Sequence, residues 1–170
     1  MRSLVRWAMG DARVWILVMN SSNAQILRRY PPTGDPGERQ IALRASRRRM
    51  SALLRAPELA PPEETFVGFG ENFAQRTIWR RALDVDHLGF LHQVADFLEA
   101  HRVAGDFDGL AVFAGPKTLP RFLALMPVHL RQTVIAEFDQ NLIDLPPDLM
   151  RSAIAAALRG RIDVLPGRDL

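Results

Sequence analysis

The 170-residue sequence contains no cysteine, and Lys117 is its single lysine. Without thiols there is no disulfide framework, no thiolate nucleophile and no cysteine-ligated zinc. Long apolar runs are missing too. None approaches the roughly 18 consecutive apolar residues that a membrane-spanning helix needs, so no membrane span is expected. The opening residues, MRSLVRWAMGDA, place Arg6 inside what would have to be the apolar stretch of a signal peptide. Export by that route is therefore not expected, and the expected compartment is cytoplasmic. No G-x-S-x-G elbow occurs, and Gly68-Phe69-Gly70 lacks both the third glycine and the preceding strand of a dinucleotide-binding loop. No cofactor is implied.

What is present describes a folded domain. Apolar residues make up 48% and charged residues 24%, which is globular composition and sets aside disordered and collagen-like classes. The length suits one core. A net charge of +3 hides an asymmetry: residues 1–60 hold eleven arginines against four acids, residues 61–115 four against nine. The first third is thus a basic segment. Arginine's forked guanidinium suits phosphate, but its preference over lysine is chain-wide and does not by itself mark a site.

The organising stretch is residues 107–149. Leu110 to Ala114 form an unbroken apolar run closed by Gly115-Pro116, the pattern of a strand buried on both faces. Leu119, Phe122, Leu123 and Met126 then recur at helical spacing, with Pro120 in a tolerated first-turn position. Val134, Ile135, Ala136 and Phe138 make a second, shorter core strand, and Pro146-Pro147 open a last helix that is expected to stop at Gly160. Upstream, Val14 to Met19 and Ala24 to Tyr30 flank the turn cluster Asn20-Ser21-Ser22-Asn23, which predicts a β-hairpin. Gln40 to Ala45 is a short third strand, and Ser46 to Arg55 a helix. The longest helix is expected to start at Asp84 or Asp86 and to end at Gly105.

Between them lies a stretch without a clear period. Phe66, Phe69 and Phe73 interleave with Gly68 and Gly70, and Arg76, Trp79, Arg80 and Arg81 follow; this reads as an irregular loop over about 57–84. The expected architecture is a three-layer α/β/α sandwich with a mixed sheet of about five strands and an N-terminal hairpin. One such domain spans 12–160, with tails at 1–11 and 161–170.

Three constellations carry possible chemistry. Asp84, Asp86 and His87 at a helix start, with His92, Asp96 and Glu99 further along, are explained by the helix dipole and a solvent face better than by a metal. Glu137 and Asp139 flank Phe138 at a strand end and are the candidate carboxylates for acid–base work. The arginines are more suggestive: Arg44, Arg47, Arg48, Arg49 and Arg55 form one group, and Arg76, Arg80 and Arg81 beside Trp79 a second. Arginines interleaved with an aromatic can contact phosphates and stack on bases.

The stretches WILVMNSSNAQIL and GLAVFAGPKTLPRFLALMPVHLRQTVIAEFDQNLIDLPPDLM resemble the bacterial host attachment protein family. The resemblance covers residues 13–30 and 85–158. That family is regarded as similar to the middle domain of archaeal and eukaryotic peptide-release factors and to Pelota-type ribosome-rescue factors, which implies a mixed-sheet α/β/α fold. In release factors a Gly-Gly-Gln loop promotes peptidyl-tRNA hydrolysis. This chain has Gly68-Phe69-Gly70-Glu71-Asn72 there and no Gly-Gly-Gln, so ribosome binding without hydrolysis is what the resemblance implies.

Three functions follow as expectations. The first is a non-enzymatic RNA- or ribosome-associated module using the two arginine groups. The second is a protein-interaction component of surface or host-cell attachment, or a homo-oligomer, acting through Phe66, Phe69, Phe73 and Trp79. The third is a hydrolase built on Glu137 and Asp139.

Overall fold

The computed structural model describes residues 13–28, 40–45 and 71–163, with side chains described for 13–28, 40–45 and 80–160. Its frame is a five-stranded mixed sheet of order β3-β2-β1-β4-β5. The strands are β1 (Val14–Met19), β2 (Asn23–Leu27), β3 (Ile41–Arg44), β4 (Gly109–Ala114) and β5 (Val134–Asp139). β1, β2 and β3 pair antiparallel in turn, while β4 lies parallel to both β1 and β5. The helices are α1 (Glu71–Val103), α2 (Thr118–Leu125), α3 (Val128–Arg131) and α4 (Pro147–Asp163).

The continuous apolar runs are explained by cover on both faces. Trp15, Leu17 and Met19 of β1 and Leu110, Val112 and Ala114 of β4 point one way, into a core closed by Phe90, Leu91, Val94, Ala95 and Leu98 of α1, Phe122 of α2 and Leu130 of α3. Val14, Ile16, Val18, Ala111 and Phe113 point the other way, beneath Leu142, Ile143 and the α4 residues Met150, Ile154 and Leu158. Every residue of β1 and β4 is consequently buried. The three layers are α1–α3, the sheet, and α4. β1 to β4 to β5 are successive steps in one direction across the sheet, and the rule of right-handed crossovers puts their connecting helices on one face, as found.

Local chemistry sets the boundaries. Asn20 Oδ1 accepts hydrogen bonds from the backbone N–H of Ser22 (2.9 Å) and Asn23 (2.8 Å), an Asx-type turn that fixes the hairpin. α1 ends in a Schellman arrangement at Gly105, whose φ of +75° suits glycine: Asp106 N–H reaches His101 O and Gly105 N–H reaches Arg102 O, both at 3.0 Å. Met126, preceding Pro127, adopts ψ of 135°, the extended geometry a following proline imposes, and this separates α2 from α3.

Two expectations need correction. The chain from Glu71 to Leu83 is not an irregular loop but the first part of α1, so Asp84 and Asp86 stand within a 33-residue helix and not at its start. The last helix continues past Gly160 to Asp163. Residues 57–70 and the expected helix over 46–55 lie outside the described residues.

Candidate nucleic-acid interface

The register places one edge of the sheet plainly. Met19, Ala114 and Asp139 stand side by side, so the three parallel strands end together. The antiparallel hairpin brings β2's first residue, Asn23, to that same edge, opposite Arg44 at the end of β3. Ala45 N–H donates to Ser22 O at 2.8 Å and fastens the end of β3 to the hairpin turn. In α/β sheets this carboxyl edge is where ligands are commonly met.

α1 ends near the opposite edge and therefore runs toward the carboxyl edge as it is followed back from Val103. A six-residue strand is about 20 Å long, a distance a helix covers in about 13 residues. That count reaches Phe90, the first α1 residue of the central core. Residues 71–89, roughly 28 Å of helix, therefore extend beyond the strand ends. Ala82 on this extension is buried, while Arg80, Arg81, Leu83 and Asp84 are exposed.

Of the two arginine groups, Arg44, Arg80 and Arg81 have described side chains, and all three are exposed. Arg44 at the strand edge and the pair on the helix extension belong to the same end of the molecule. None of them pairs with a carboxylate among the described residues. Four other arginines do: Arg13 with Asp108 (3.2 Å), Arg102 with Glu99 (2.7 Å), Arg121 with Asp84 (3.8 Å) and Arg131 with Glu137 (2.6 Å). Arg28 lies over the Trp15 ring, 5.6 Å from its centroid. The side chains of Phe73, Arg76 and Trp79 lie outside the description, as do Arg47, Arg48, Arg49, Arg55, Phe66 and Phe69.

The candidate carboxylates of β5 share one face, opposite Phe138, which stacks on Phe113 at 4.4 Å between ring centroids. Glu137 is half-buried and engaged by Arg131; Asp139 is exposed at the carboxyl edge. His92 and Asp96 are exposed on α1. Glu99 accepts from Arg102 Nε and Nη2 (2.7 and 2.8 Å), and these bonds hold its carboxyl below the ordinary value. His101 is bonded to Asp106 at 2.5 Å and lies against the rings of Phe97 and Trp15. Among the described residues no group of three or more His, Cys, Asp or Glu side chains is placed to hold a metal ion. No helix among them is long and apolar enough to cross a membrane.

Two exposed cations at this edge escaped the sequence reading. Lys117 precedes α2 in the loop after β4, and Arg121 lies one turn further on. The signal that could have found them is positional: both follow directly from the end of an apolar strand closed by Gly115-Pro116.

A family model described as a protein required for attachment to host cells matches residues 15–154. The chain belongs to the host attachment family. The match spans both the hairpin and the final helix, and it also crosses residues 31–84, where the sequence resemblance was poor. No curated protein matches this member of the family.

Proposed function

We propose that this host attachment family member is a non-enzymatic RNA- or ribosome-associated module whose contact surface is the carboxyl edge of the sheet and the extension of α1. The observation that carries the reading is the set of cations at that edge. Arg44, Arg80 and Arg81 are exposed and pair with no carboxylate among the described residues, whereas Arg13, Arg102 and Arg131 elsewhere each hold one. Unpaired arginines on one end of a molecule are available to phosphate oxygens, and phosphate contact dominates nucleic-acid affinity. Arg47, Arg48, Arg49 and Arg55 follow Arg44 in sequence, and Arg76 and Trp79 precede Arg80; the proposal assigns them to RNA contact on their sequence positions alone. The similarity to release-factor middle domains that the sequence resemblance implies is part of the same proposal, and the lack of Gly-Gly-Gln in the sequence keeps peptidyl-tRNA hydrolysis out of it. Arg131's hold on Glu137 gives no reason to prefer the hydrolase.

A second reading, a protein-interaction component of attachment acting through Phe66, Phe69, Phe73 and Trp79, draws on the exposure of Leu83 and Leu88 along α1. Cosedimentation with purified ribosomes at low and high salt separates the two. The RNA reading expects binding that falls steeply with salt; binding that is insensitive to salt supports the apolar partner surface, and no binding at either salt rejects the ribosomal form of the proposal.

A further inference from the structure

We infer that the phosphate-contacting surface continues from α1 onto α2 through Arg121 and Lys117, and that Asp84 restrains it by holding Arg121. The inference rests on the RNA reading above but names residues that reading does not contain.

The two helices are brought together at a charged turn. Leu98, Val94 and Leu91 form the core-facing stripe of α1 and are buried. Continued backward at the same spacing of three and four, the stripe becomes His87, Asp84 and Arg80. The inward face of the helix thus turns from apolar to charged as it passes the strand ends. There Arg121 Nη1 of α2 approaches Asp84 Oδ1 at 3.8 Å.

The direction of α2 determines where Lys117 lies. Arg121 sits by Asp84, and the chain passes from the carboxyl end of β4 through α2 and α3 to the amino end of β5, the same course that α1 takes across the sheet. The chain from 121 to 129 therefore runs alongside α1 in the direction from 84 to 99. Followed the other way, from Arg121 back to Lys117, it leads toward the Arg80 end. Residues four apart on a helix are neighbours, so Arg80 and Asp84 on α1 and Lys117 and Arg121 on α2 form two short rows side by side, the members of each about a helical turn apart. Three members are cations and one is an acid.

The acid sits where it matters. Asp84 is four residues after Arg80, within reach of it, and also next to Arg121. Both side chains of the Asp84–Arg121 pair are more than half exposed, at 63% and 56%, so solvent screens the pair and a phosphate can displace the carboxylate at little cost. An arriving polyanion would find Lys117 without a carboxylate partner among the described residues and Arg121 held by a weak competitor. Single-stranded RNA suits a cluster of cations of this kind, because each phosphate neutralised releases counterions and adds to the salt slope.

The test uses the full chain and a fluorescently labelled single-stranded oligoribonucleotide, with affinity measured across a salt series. Lys117→Ala and Arg121→Ala should each weaken binding and lower the log–log salt slope by about 0.7. Asp84→Asn should strengthen binding and leave the slope as steep or steeper, a gain that misfolding cannot produce. Arg151→Ala and Arg159→Ala, exposed on α4 in the opposite layer, should change neither. If wild-type protein shows no salt-dependent binding, the RNA reading itself falls. If Arg80→Ala and Arg81→Ala lower the slope while Lys117→Ala, Arg121→Ala and Asp84→Asn leave it untouched, the surface stops at α1 and this inference is overturned.

Discussion

Arg131 Nη2 lies 2.6 Å from Glu137 Oε1, tying the short helix α3 to the edge strand β5. A carboxylate held this way by a guanidinium has a bonding partner that a free general base lacks. Asp139, the other candidate, is exposed.

The double variant Glu137→Ala, Asp139→Ala should accordingly keep any attachment phenotype and any RNA binding of the parent. A melting temperature near wild type, together with retained function in a cell-attachment assay, is the expected result. Loss of function in a protein that folds normally would revive the hydrolase reading.

Val112 tests the architecture. It is fully buried, pairs with Leu17 of β1 and Glu137 of β5, and points into the core beneath α1. Val112→Asp should cost several kcal/mol, because a buried charge without a partner cannot recover its lost hydration. Chemical denaturation should show a collapsed midpoint. An unchanged midpoint would contradict the burial of β4 on both faces.

Much of this frame was readable beforehand, and the reasons are specific. β1 and β4 are buried on both sides, so their sequences are unbroken apolar runs. The hairpin announced itself through Asn20-Ser21-Ser22-Asn23, whose side chain at Asn20 makes the turn. The start of α1 was hidden for an equally physical reason. Amphipathic periodicity reports burial, and at His87, Asp84 and Arg80 the core-facing stripe has passed the last α1 residues of the central core, among the described residues. Phe73, Ile78 and Trp79 supply apolar residues there, but not the pattern of a helix resting on the sheet. The candidate surface was half legible: arginines can be counted in a sequence, whereas the placing of Arg44 at the same end as the α1 extension depends on strand order and register. Lys117 and Arg121 were invisible for the same reason.

The Glu99–Arg102 pair provides a pH signature. Hydrogen bonds from Arg102, with a smaller contribution from nearby His129, lower the Glu99 carboxyl below its ordinary 4.5. A lowered folded-state value means that the stabilisation is present above the unfolded value and is lost as pH falls through the folded one. Glu99→Gln should therefore remove part of the acid-side decline in stability and leave the curve at neutral pH parallel to wild type. Denaturation midpoints collected between neutral pH and pH 3 check this; an identical acid-side decline in the variant would contradict it.

The most direct test of the central claim is the salt dependence of RNA binding by the triple variant Arg44→Ala, Arg80→Ala, Arg81→Ala. These residues are exposed and unpaired among the described residues, so their removal should leave the fold intact, which a thermal melt verifies. If the carboxyl edge and the α1 extension contact phosphate, the log–log salt slope should drop by up to about 2, three contacts at about 0.7 each, with a matching loss of affinity at low salt. A triple variant that binds the same oligoribonucleotide with wild-type affinity and slope would contradict the account.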